Sequence, residues 1–138
     1  MPRAVIDFVV EGYRRYNERD RSLPWPDDEN ALAWHTDGEY RSAREDPDSE
    51  VHRGLDAIRL QFQRWHDAYP DLSVRIVDIR VKGDMVLVWV HLSGHGAGSG
   101  VPIEMELAHV LAVRDGKIAY IAEFFDRAEA LEHVGISD

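Results

Sequence analysis

The apolar residues change period at Pro70, and that change confines the chain to few architectures. Before it, Val5, Phe8, Val9, Tyr13 and Tyr16 recur at spacings of three and four, with Arg14, Arg15 and Glu18 elsewhere, so residues 4–19 read as an amphipathic helix. A second stripe, Leu55, Ile58, Phe62, Trp65 and Tyr69, predicts a helix over about 56–69 that Pro70 ends. After Pro70, residues 72–81, 85–93, 103–113 and 118–125 are rich in Val, Ile and aromatics and alternate at period two. Their connectors are Lys82-Gly-Asp, a glycine-dotted stretch over 94–100, and Arg114-Asp-Gly-Lys, a strong hairpin signal. The strands therefore form an antiparallel meander. Between the helices, Ser22-Leu-Pro-Trp-Pro-Asp-Asp breaks any helix, residues 29–34 form a short helical piece, and 35–50 read mostly as loop around a brief strand-like Glu39-Tyr40-Arg41. A capping-box-like Asp126-Arg-Ala-Glu129 opens a last short helix that Gly135 stops.

Helices followed by long strands indicate α+β: a curved antiparallel sheet wrapped around helices as a cone, whose mouth can hold a small molecule. The 138 residues fit a single domain, 1–138. A formal charge of −10 repels phosphate backbones and argues against a nucleic-acid partner. With no cysteine, disulfides, zinc–thiolate sites and thiol nucleophiles are excluded together. The longest apolar run, 85–90, is far below a membrane span, and Asp7 and Glu11 interrupt any leader-like segment at the start. The expectation is a cytoplasmic protein without a membrane partner.

Strand parity sorts the faces. Ile103, Met105, Leu107, His109, Leu111 and Val113 share one side of their strand, while Glu104 and Glu106 mark the other as outer. His109 is the one ionisable residue on the inward row. In 118–125, Ala119, Ile121, Glu123 and Phe125 form a row whose ionisable member is Glu123; the alternate row, Ile118, Tyr120, Ala122 and Phe124, is equally apolar, so parity leaves the inward side open. A carboxylate among apolar groups has its pKa raised toward neutrality, which suits proton transfer. Tyr16, Trp34, Tyr40, Trp65 and Tyr69, with Met105, Leu107 and Ile121, are the candidate wall of a substrate cavity. His91 and His95 lie about 13 Å apart along a strand, too far for one ion, so no metal site is expected. The strand over 85–93 is apolar on both sides, which calls for a second layer or a partner subunit; Met85, Leu87, Trp89, Val110, Tyr120 and Phe124 on the outer face predict a homodimer.

The element order, together with Arg53-Gly-Leu-Asp-Ala-Ile-Arg, Ala68-Tyr-Pro-Asp-Leu, Ser99-Gly-Val-Pro, Arg114-Asp-Gly-Lys-Ile and Asp126-Arg-Ala-Glu-Ala-Leu-Glu, resembles the SnoaL-like branch of the nuclear transport factor 2-like superfamily over roughly 4–135. The resemblance implies a cone-shaped α+β barrel, frequent homodimers through the outer sheet face, and a deep pocket that in different members isomerises, cyclises, opens epoxides, dehydrates or only binds. Gly116-Lys-Ile-Ala-Tyr-Ile-Ala-Glu123 is similar to the cyclase segment whose catalytic aspartate stands where this chain has Glu123, and the cyclases' pocket histidine falls on His109. Glu in place of Asp lengthens the arm by a methylene. The ketosteroid isomerase base falls near Ser42, which cannot serve as a carboxylate, and the arginine flanked by acids of limonene epoxide hydrolases has no equivalent. Two functional classes follow. One is a cofactor-free acid–base enzyme of isomerase, cyclase or lyase type on a small apolar carbonyl compound, with Glu123 moving the proton and His109 polarising an oxygen or tuning the acid. The other is a non-catalytic ligand-binding or dimerisation module of the same fold.

Overall fold

The computed structural model describes residues 2–46 and 50–137. Helix α1 spans Pro2–Asn17, a 3-10 turn Asn30–Ala33, strand β1 Trp34–Arg41, β2 Val51–Arg53 and helix α2 Leu55–Ala68. The meander follows as β3 Ser73–Lys82, β4 Met85–His95, β5 Pro102–Arg114 and β6 Lys117–Phe124, and α3, Arg127–Val134, closes the chain. The strands form one six-stranded sheet in the order β2-β1-β6-β5-β4-β3.

The meander is antiparallel as expected, but β1 lies parallel to β6, so the whole sheet is mixed. β1 contains the strand-like Glu39-Tyr40-Arg41 and extends it back through residues read as loop to Trp34, read as helical. The β1–β6 register runs from Trp34 opposite Ile118 to Glu39 opposite Tyr120, so β1 spends five steps where β6 spends two. A bulge of this size interrupts the pairing with β6, because the residues inside it face no regular partner. Its tightest point is Gly38, where an added Cβ would lie 3.0 Å from the His35 carbonyl oxygen and 3.1 Å from the Trp34 ring. β2, unforeseen in the sequence, pairs antiparallel with β1 through only three residues.

The core fills the concave side. Val9 and Tyr16 of α1 and Ile58 and Phe62 of α2 meet Val86, Val88 and Val90 of β4, Leu107 and Leu111 of β5 and Ile121 of β6. Parity in β6 is thereby settled: Ile121 and Glu123 face the helices, while Tyr120 and Ala122 lie on the convex side. The second layer that the doubly apolar β4 requires is α3 of the same chain. Its Ala130, Leu131 and Val134 cover Leu87, Ala108 and Val110, leaving Leu87 and Val110 fully buried. No second chain is needed to remove these side chains from water. Among the described residues, no helix is long and apolar enough to cross a membrane.

Candidate functional site

A cavity of about 790 Å³ lies between α1, α2, the 3-10 turn and the concave sheet. All ten side chains selected from the sequence reach it: Glu123, His109, Tyr16, Trp34, Tyr40, Trp65, Tyr69, Met105, Leu107 and Ile121. They reach it at different depths. Met105 is 41 % exposed and Phe125 36 %, which puts both at the mouth. Much of the wall is apolar and aromatic.

Besides the charged and amide side chains Glu11, Arg15, Glu29, Asn30, Asp46, Asp115 and Lys117, the lining holds four polar groups that are joined in a chain. His109 and Glu123 lie directly opposite each other on β5 and β6, yet the hydrogen bonds between them pass through Tyr40 of β1. The Tyr40 hydroxyl donates to Glu123 Oε2 at 2.7 Å and lies 3.3 Å from His109 Nε2. Tyr13 of α1 reaches His109 Nδ1 at 2.7 Å. The backbone N–H of Ala43 donates to Glu123 Oε1 at 3.4 Å. Edge-to-face contacts with Phe62 and Trp65 of α2 brace the Tyr40 ring.

Burial sets the charge states. It raises the Glu123 carboxyl above its ordinary value, against the opposing donors Tyr40 and Ala43, while the charge on Asp46 adds to the rise. It lowers His109 to about 4, so the imidazole is neutral at pH 7. The phenols of Tyr13 and Tyr40 are both pushed upward, first by burial and then by the charge on Glu123. A direct ion pair between Glu123 and a protonated His109 is therefore replaced by a neutral bridge. A second buried contact, Tyr16 Oη to His66 Nε2 at 2.7 Å, joins α1 to α2; burial, then Arg19 and Arg21, lower His66 to about 4.

Tyr13 was not among the side chains singled out in the sequence. Its signal was present, since it sits three residues before Tyr16 on the same stripe, but a period count treats tyrosine as apolar and is blind to the hydroxyl. The two histidines of β4 have separate partners: His91 faces Glu104 and Glu106, and His95 binds Asp71 with its ring and its backbone N–H. The stretch 94–100 extends β4 to His95 and then turns, with Gly96 N–H donating to the Val101 carbonyl.

Comparison with known proteins places these observations. The SnoaL-like domain family matches residues 9–121. The structure is similar to that of TerC, co-crystallised with polyporic acid, at 17 % identity and a TM-score of 0.71 over 94 % of this chain and 95 % of that one. A protein assigned as a SnoaL-like polyketide cyclase from Jannaschia sp. CCS1 is 17 % identical with a TM-score of 0.67, over 96 % and 94 % of the two chains. SalBIII, an epoxide hydrolase/cyclase-like enzyme of pyran ring formation in polyether salinomycin, is 16 % identical with a TM-score of 0.73, over 92 % and 94 %. At these identities the likeness establishes the fold. No curated protein matches the chain.

Proposed function

The chain belongs to the SnoaL-like domain family, and from that premise we propose that it performs cofactor-free acid–base chemistry on a small, largely apolar carbonyl compound held in the cavity. The observation that carries this reading is Glu123: a carboxylate set in an aromatic wall, held by Tyr40 and Ala43 and raised by burial. A base whose pKa is raised by burial suits abstraction of a proton next to a carbonyl, because it holds that proton more firmly than an ordinary carboxylate and can return it. The Tyr40 hydroxyl and the Ala43 backbone N–H orient it. Neighbours of the fold support the choice of a small organic ligand, since TerC was crystallised with polyporic acid and SalBIII acts in ring formation.

The test is proton exchange. Cyclic and aromatic ketones that bind the protein are incubated with it in D₂O, and deuterium entering next to the carbonyl is followed by NMR. Glu123→Gln keeps the shape and removes the base, so exchange should fall by a factor on the order of 10² to 10⁴ with binding retained. Bound ketones that exchange no faster than in buffer, or equally fast with the variant, would leave a binding module in place of an enzyme.

A further inference from the structure

The polar chain in the cavity wall can satisfy its hydrogen bonds in two alternative directions. With Glu123 ionised, both carboxylate oxygens only accept, so Tyr40 must donate to Oε2. The Tyr40 oxygen is then free to accept from His109, which puts the imidazole proton on Nε2. A neutral imidazole has one acceptor, now Nδ1, and the Tyr13 O–H points at it. Protonating Glu123 allows every bond to reverse: Glu123 donates to Tyr40, Tyr40 to Nε2, and Nδ1–H to the Tyr13 oxygen, whose own proton then faces the cavity.

We propose that Tyr13, His109, Tyr40 and Glu123 form a proton relay whose two ends both open on the cavity, with Tyr13 as the catalytic group that exchanges a proton with an oxygen of the substrate. This rests on the acid–base reading above and extends it, since the substrate must carry an enol, phenol or carbonyl oxygen within reach of Tyr13. In the forward step the substrate O–H breaks and its proton bonds to the Tyr13 oxygen. The Tyr13 proton moves to Nδ1, the Nε2 proton to Tyr40, and the Tyr40 proton to Glu123. One negative charge passes from Glu123 to the substrate oxygen, and every residue in between ends neutral.

Exposure favours this assignment. Tyr40 is 3 % and His109 8 % exposed, so water does not interrupt the middle of the chain, whereas Tyr13 and Glu123 are each partly accessible. The upward shift of both phenols and the downward shift of His109 disfavour a tyrosinate or an imidazolium as a resting stop, so the protons move together. The ionisable groups facing the relay are few. Asp46 lies beyond β1, near Glu123. Tyr16 of α1 stands beside Tyr40 and is bonded to His66 of α2. Phe62 and Trp65, also of α2, do not titrate.

The relay ties the tautomer of His109 to the ionisation of Glu123, and this can be read without substrate. In the full-length protein labelled with ¹⁵N-histidine, long-range proton–nitrogen spectra distinguish Nε2–H from Nδ1–H, and the His109→Asn spectrum identifies the signal among the seven histidines. Followed against the ¹³C signal of the Glu123 carboxyl, His109 should be Nε2–H when Glu123 is ionised and shift to Nδ1–H as the pH falls through that titration. Glu123→Gln and Tyr40→Phe should each abolish the pH-dependent switch. In the exchange assay, Tyr13→Phe should lower turnover on the order of 10²-fold with ligand affinity retained. A His109 that keeps one tautomer across the Glu123 titration, or charges to imidazolium in the same step, overturns the relay. Were exchange still dependent on Glu123 in that case, the acid–base reading would stand and the relay alone would fall.

Discussion

His109 shows how one residue couples stability to the site. Its ring is neutral in the folded state because burial lowers its pKa from 6.5 to about 4. Between those values the unfolded chain takes up a proton that the folded chain refuses, so stability falls as pH drops from about 6.5 toward 4 and is retained above. Between pH 7.5 and 5 the imbalance spans roughly 1.5 pH units, or about 2 kcal/mol. Urea unfolding at the two pH values should show wild type losing about that much more than His109→Asn, whose side chain does not titrate. An identical loss in both proteins would mean that His109 is protonated in the native state. Glu123 acts in the opposite sense: its raised pKa makes the folded state the stronger proton binder, and its contribution is lost as pH rises through that value. The sequence identified both residues by one argument, an ionisable side chain alone in an apolar row. That argument could not find Tyr40's place between them, because the bridge comes from β1, whose pairing with β6 joins residues far apart in the chain.

Elements differ in how locally they are specified. α3 is specified locally: Asp126 accepts from the N–H groups of Ala128 and Glu129, and Gly135, at φ +83, closes the helix with its N–H on the Leu131 carbonyl. Both devices were readable in the sequence as Asp126 with Glu129 and a terminal glycine. Removing the cap with Asp126→Ala should cost about 1 kcal/mol in urea unfolding, with Leu87 and Val110 still covered by α3. A much larger loss would mean that α3 detaches from the sheet. β1 is the contrary case. Trp34-His-Thr-Asp-Gly-Glu-Tyr-Arg sets Trp34, Thr36, Gly38 and Tyr40 against His35, Asp37, Glu39 and Arg41, but only two members of the inner row are large and apolar, an Asp-Gly pair in the middle reads as a turn, and the strand is completed by β6 and β2 on either side. Trp34 and Tyr40 both face the cavity, while Thr36 and Asp37, inside the bulge, stay in solvent. The meander was clear because each strand and its turn carry their own signals. β1 was not, since its evidence lies in its partners.

At the scale of the whole molecule, the fold sacrifices packing on one side of its sheet. The convex side is closed by α3, with Leu87, Ala108, Val110 and Ala130 fully buried, whereas the concave side keeps a cavity of about 790 Å³ walled by aromatic rings. Side chains lining such a space lack the dispersion contacts that a filled core would give, so the native state is less stable than its buried area suggests. A ligand that fills the space binds the folded chain and has no site on the unfolded one, and it stabilises by mass action. At a free concentration of 100 Kd this amounts to about 2.7 kcal/mol. For a domain of 138 residues, each kcal/mol moves Tm by roughly 3 to 5 °C, so a cavity ligand at that excess should raise Tm by about 10 °C. Differential scanning calorimetry across a ligand titration measures this, and Tm should keep rising with the logarithm of concentration beyond saturation. The rise should persist in Glu123→Gln, which leaves the apolar wall intact, and should shrink in Trp65→Ala, which removes a wall ring and its contact with Tyr40. A compound whose stabilisation is untouched by Trp65→Ala binds outside the cavity and carries no information about the reaction.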